Sequence, residues 1–295
     1  MAKKPVTGTA IVNWEDEMAA QAKLAVAAQR KTGGGGNFFS LAGGILKFDG
    51  PALPGNQMAV VVLADMMENV YYDSAYIADV ANSPKCFAFG SHENEMEPHE
   101  AVDKEDCFER QADTCQECPH NEWGSAEKGK GKACSNVMRL ALIPAGIYAA
   151  KGKGREVSYS LEKMFEDPAH FKSAEIVYLR VPVTSVKNYS NYVCELDNAM
   201  RRPPFGVFTN IWVDKHEKFQ LSVNFEAISE VPTALLPIIA PRAATAKAGI
   251  GFPYSPPVDK APPLTNAKIM RKPLPTDTKG VRKPIPTRVL RGAKR

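Results

Sequence analysis

Cys115-Gln-Glu-Cys118 places two thiols one short turn apart, and Cys134 follows sixteen residues later inside Gly129-Lys-Gly-Lys-Ala-Cys134. A chain with this spacing is constrained to bring two separate turns together, because tetrahedral zinc takes thiolates in pairs from two loops. The chain opens Met-Ala-Lys-Lys with no signal-peptide core, and no apolar run approaches the roughly 18 residues of a membrane helix. A soluble protein of a reducing compartment is therefore expected, where disulfides are rare. A redox C-x-x-C needs a βαβ setting, which the pattern lacks, and incidental thiols are the remaining alternative. Zn2+ in a structural role is the reading adopted, with Cys86, Cys115, Cys118 and Cys134 as ligands. Cys86 is chosen because it ends an apolar strand and is rigidly placed. Cys107 is the runner-up, and His99 and His120 are further options. Cys194 reads as a small buried residue on a helix face.

The pattern around these cysteines is that of strands. Met58 to Leu63 (Met-Ala-Val-Val-Val-Leu) is a short β-branched run, the signature of a buried strand. Further strand material is read at Phe38 to Phe48, Tyr71-Tyr72, Cys86 to Phe89, Val137 to Leu142, Ile176 to Val183, Phe205 to Val213 and Phe219 to Phe225. One helix is expected over Val186 to Met200, with Val186, Tyr189, Tyr192, Val193 and Leu196 on one side. A short helix over Glu15 to Arg30 follows about a dozen disordered residues, and Gly33 to Gly36 reads as a linker. Many strands and few helices give a mainly β (α+β) fold, an OB-like barrel with an inserted zinc-binding loop. The domains are then 1–36, helix and linker; 37–235, β-rich core with the insert at about 86–136; and 253–295, a disordered basic tail.

Charge sharpens that division. The net charge of +4 conceals eleven Lys/Arg against one acid from Lys260 to Arg295, and eight acids against one Lys from Glu93 to Glu109. The tail holds nine prolines after residue 252, and Arg271-Lys-Pro-Leu-Pro-Thr276 recurs as Arg282-Lys-Pro-Ile-Pro-Thr287. Such a segment is extended and polyproline-like. The acidic stretch reads as a solvated loop.

Single-strand binding needs a basic track and flat rings on which bases stack. The basic candidates are Lys47, Lys128, Lys130, Lys132, Arg139, Lys187, Arg201 and Arg202. Ring candidates are Phe38, Phe48, Tyr71, Tyr72, Tyr76, Phe87, Tyr189, Tyr192 and Trp212, most of them expected in the core. Tyr71 and Tyr72 are singled out because strand neighbours point to opposite faces, leaving one ring usable. Catalysis has little support. Asp65, Glu68 and Asp73 lack the tight constellation of a nuclease, and no nucleophile elbow, H-E-x-x-H or P-loop is present.

Several motifs are shared with one group of proteins. Cys115-x-x-Cys118-Pro119-x-Asn121-Glu122-Trp123-Gly124-Ser125-Ala126, Gly129 to Cys134, Arg139-Leu140, Glu68-Asn69-x-Tyr71-Tyr72-Asp73, Pro84-x-Cys86-Phe87-Ala88-Phe89-Gly90 and Pro182-Val-Thr-Ser-Val186 resemble a family of bacteriophage-encoded proteins. The resemblance spans roughly residues 10 to 230. It implies a non-enzymatic single-stranded-DNA-binding protein of phage replication or recombination, working in the bacterial host cytoplasm. The plan also looks like that of phage helix-destabilising proteins, an OB-type barrel with an inserted zinc loop. The basic tail departs from the acidic tail of many single-strand binders. The alternative is a zinc-stabilised adaptor that binds phage replication proteins or host proteins through its proline-rich tail. No membrane partner is expected.

Overall fold

The computed structural model describes residues 37–48, 50–73, 83–127, 129–152, 157–215 and 221–254. The expected N-terminal helix, the glycine linker, Tyr76, Lys128 and the basic tail lie outside them.

Two long strands form the spine. β1 (Gln57–Tyr71) and β3 (Cys134–Lys151) pair antiparallel almost end to end, from Ala59 opposite Gly146 to Tyr71 opposite Cys134. Shorter strands flank each half. β6 (Val207–Asp214) pairs with the first residues of β1, while β2 (Cys86–Gly90) pairs with its last five. β4 (Ser158–Met164) and β5 (Val177–Val181) divide the outer side of β3, and β7 (Ser222–Glu230) extends β6. Every pair is antiparallel. Irregularities at Ala59/Val60 and Val62/Ala64 in β1, and others in β3 and β6, bend the sheet into a curled half-barrel. The mainly β architecture expected from the sequence is present.

The apolar run in β1 has no polar alternation because both faces of the sheet are covered. Met58, Val60 and Val62 pack with Leu140, Leu142 and Leu179 beneath Tyr189, Tyr192 and Leu196 of α2 (Val183–Met200). Val61, Leu63, Ala141 and Ile143 pack on the other face with Phe171 of α1 (Pro168–Ser173) and with Ile239 and Ala243 of α3 (Leu236–Gly249).

Three differences from the sequence reading have simple causes. First, Phe38 to Phe48 carries isolated bridges, not a strand: Gly43 and Gly44 adopt φ of 67° and 71°, and the chain turns there. Second, α3 was not anticipated, and it carries the folded body past residue 235. Its sequence is alanine-rich with prolines at 237 and 241, so it shows no apolar stripe. Third, Cys194 sits in α2 but is exposed. The buried positions Ser185, Tyr189, Tyr192 and Leu196 define one helix face, and residue 194 falls on the opposite side.

Candidate metal centre and nucleic-acid interface

Strand register assembles the cysteines. Tyr71, the last residue of β1, pairs with Cys86 on one side and Cys134 on the other. Laterally paired residues share a sheet face, so the two cysteines flank Tyr71 on one face. The loop of residues 91–133 folds over that face and delivers the C-x-x-C. The Cys115 amide donates to the Met96 carbonyl at 2.8 Å, the Asn121 side chain donates to the Cys115 carbonyl at 2.8 Å, and the Asn121 amide donates to the Cys118 carbonyl at 2.9 Å. Cys86, Cys115, Cys118 and Cys134 all line one cavity of 20 Å³, room for a single water-sized body. The lining includes neither Cys107 nor a histidine. His120 is taken up by a stack on Tyr71, with ring centroids 3.9 Å apart, and His99 packs on Phe87. Burial pushes the Cys134 thiol up to about 12 and Cys86 up to about 11, with the neighbouring sulfurs adding to both. Among the described residues, no three His, Cys, Asp or Glu side chains are already drawn together as a ligand set. The fold supplies a shared pocket with four thiols in its wall.

A buried polar network holds the loop down. Asn69 and Asn136 are direct partners across β1 and β3, and Asn136 Nδ2 donates to Asn69 Oδ1 at 2.5 Å and to Asn121 Oδ1 at 3.0 Å. Asn69 Nδ2 in turn reaches the Glu93 carbonyl at 2.6 Å. Lys132 Nζ closes the circuit on Asn121 Oδ1 at 3.2 Å and Glu93 Oε1 at 3.1 Å. These residues were not picked out as a site by sequence. The available signal was asparagine inside strands, where it is depleted. The acidic stretch also does more than stay in solvent, since its own Met96, Val102 and Phe108 are buried.

The opposite face at the same end holds a second buried group. Glu68, 0% exposed, accepts from Arg139 Nε and Arg180 Nη2, both at 3.0 Å, and from the Tyr254 hydroxyl. Arg139 also donates to the carbonyls of Ile250 and Phe252, each at 3.0 Å, and lies over the Phe89 and Phe252 rings. This corrects one basic candidate. Arg139 is 1% exposed and fully engaged, so it is no part of a surface track. It also removes Glu68 from any carboxylate metal cluster with Asp65 and Asp73.

The remaining candidates scatter. Lys47 is half-buried in a bridged turn, Lys187 is exposed on α2, Arg201 is exposed just after it in a left-handed conformation, and Arg202 pairs with Glu230 at 2.6 Å. Tyr189, Tyr192 and Phe87 are core, and Trp212 is half-buried with its indole N–H on Asp214 at 2.9 Å. Tyr71 and Tyr72 do point apart, but both are half-buried. One stacks on His120, and the other lies against the Glu68 group. The most exposed ring among the described residues lies outside the ring candidates. Trp123 is 79% exposed on the cysteine loop, with the Lys132 ammonium 6.0 Å from its centroid and Lys130 exposed nearby in the loop. Gly124, at φ 92°, makes the turn that presents it, tied by its amide to the Gly131 carbonyl at 2.9 Å.

Comparison with family models, curated proteins and solved structures returned no match. No helix among the described residues is long and apolar enough to cross a membrane.

Proposed function

We propose that this protein binds single-stranded DNA without catalysing a reaction, using a cysteine knuckle stapled by one structural Zn2+. The observation that carries the reading is Trp123, a large ring left in solvent on a loop otherwise fastened by buried asparagines, with Lys130 and Lys132 on the same loop. An exposed indole costs hydrophobic free energy unless something stacks on it, and every base offers a flat face. The exposed Lys130 ammonium supplies a phosphate contact, while Lys132, held by Glu93 and Asn121, fixes the loop beneath the ring. Zn2+ would be held by Cys86, Cys115, Cys118 and Cys134. Four thiolates make a closed structural site, and the pocket has room for one ion. In this reading the curled sheet is an OB-type barrel in its coarse form, and the cysteine loop is its insert. Phage DNA replication or recombination in a bacterial cytoplasm is the setting the motif resemblance suggests.

The test is fluorescence anisotropy with single- and double-stranded oligonucleotides, on the full chain, on a Trp123→Ala variant and on a chain lacking residues 255–295. Loss of one stacking ring should weaken single-strand binding by about 1–3 kcal/mol with an unchanged melting temperature. Binding should also survive tail removal, and affinity should fall log-linearly with salt. Unaltered affinity in Trp123→Ala, or complete loss on tail removal at moderate salt, would overturn the reading. The second outcome favours an adaptor working through its tail.

A further inference from the structure

The ladder along β1 is interrupted on one side. β6 pairs with it only as far as Val61 opposite Phe208, and β2 begins only at Met67 opposite Gly90. Over Val62 to Met66, β1 is paired with β3 alone. Backbone groups in a strand point alternately to its two sides, so among the described residues this stretch has no strand partner for the groups that face the gap. Unpaired backbone at the centre of a sheet is costly and is normally satisfied. At the same place lies an open groove of about 380 Å³. It is lined by Leu63 and Ala64 on the strand side, Phe205 on the turn before β6, and Ala240, Ala244 and Lys247 on α3. The helix side is built from alanines, so the trough stays wide enough for a chain to lie in it.

We propose that the chain's own residues Thr9–Trp14 dock in this groove as an added strand, completing the ladder between β6 and β2. Three features select this occupant. Thr-Ala-Ile-Val-Asn-Trp is six residues of mostly β-branched and aromatic character, matching a five-residue gap. The point of attachment is suitably close. Asn37 is fixed by accepting from the Tyr178 amide at 2.8 Å, Phe38 packs on Phe252, and Gly251, one residue before, lies against Met66 at the end of the gap. Even with a helix over Glu15 to Arg30, the 22 residues between Trp14 and Asn37 span up to about 40 Å, enough for that short return. Charge agrees as well. Lys247 at the groove makes no ion pair with a described residue, and Glu15, Asp16 and Glu17 follow directly on the segment. Main-chain hydrogen bonds would give the affinity, and Ile11 or Val12 would fill the trough over Leu63.

Hydrogen exchange on the full chain tests this. The gap-facing amides among Val62 to Met66 should exchange about tenfold or more slowly in the wild type than in a Val12→Asp variant. A second variant, Ala244→Phe, fills the groove from the other side and should release Thr9–Trp14 to rapid exchange. Equal exchange in wild type and Val12→Asp would overturn the proposal, whatever the fate of Ala244→Phe. Sedimentation of the wild type should give a monomer mass. A dimer lost in Val12→Asp would overturn docking within one chain and assign the segment to a second copy. None of these readouts involves DNA or metal, so their outcome is separable from the function proposed above.

Discussion

Replacing Glu68 with Gln removes the negative charge from a group in which two arginines and a tyrosine hydroxyl converge on one carboxylate. Arg180 is 34% exposed and can turn to water, whereas Arg139 is 1% exposed and cannot. The cost is therefore that of one buried, uncompensated guanidinium, for which breaking a buried pair costs about 3–5 kcal/mol. Two carbonyls and two ring faces still support Arg139, placing Glu68→Gln near the low end, about 3 kcal/mol. For a folded body of this size that corresponds to a fall in melting temperature of about 6–12 °C. Urea unfolding followed by circular dichroism measures it, with Glu68→Leu/Arg139→Met as the companion. Removing both charges should cost less than removing one, because an apolar pair leaves no stranded charge. A Glu68→Gln loss under about 1 kcal/mol, or a double variant less stable than the single one, would refute the reasoning.

The remaining predictions concern the same end of the sheet. Burial raises the Glu68 pKa, but Arg180 and Arg139 together outweigh it and hold the carboxyl below the usual range. A depressed folded pKa gives stability that is fully present above the unfolded value, near 4.3, and lost as pH falls through the folded one. Urea midpoints should drop further for wild type than for Glu68→Gln between about pH 5 and pH 2, and equal drops would count against the ion-pair account. Protein purified without chelator should carry one zinc per chain by elemental analysis, and Cys115→Ser should lose it and loosen residues 91–133 while β1 and β3 stay protected in hydrogen exchange. Cys194→Ser, on the exposed side of α2, should change neither metal content nor melting temperature. Asn136→Ala strips the donor shared by Asn69 and Asn121 and should cost about 1–3 kcal/mol in a denaturant titration.

The parts of the fold that were legible in the sequence are those where one residue type has one use. Val60, Val61 and Val62 leave few choices but a buried strand, and the spacing of Tyr189, Tyr192 and Leu196 gives a helix. Cys86, Cys115, Cys118 and Cys134 share one pocket wall, a gathering that the C-x-x-C spacing and the strand-ending Cys86 suggested. α3 was not, because alanine suits any side of a helix and Pro241 argues against one. Arg139 was misread because a guanidinium looks alike in a sequence whether it faces water or Glu68, 71 residues away. Trp123 was not legible either, since nothing local distinguishes an indole in solvent from one in a core.

The row Cys86–Tyr71–Cys134 spans three strands at a single register position. A slip of one residue in either ladder would turn one cysteine to the far face of the sheet, among Phe87, Phe89 and Glu68. Ion capture at the proposed centre would therefore proofread strand alignment. A complete four-thiolate set could not form before β1 zips against both neighbours, and a misaligned chain would be left without it. During folding, metal uptake would then mark the moment at which this end of the molecule is committed, with the loop over residues 91–133 closing last.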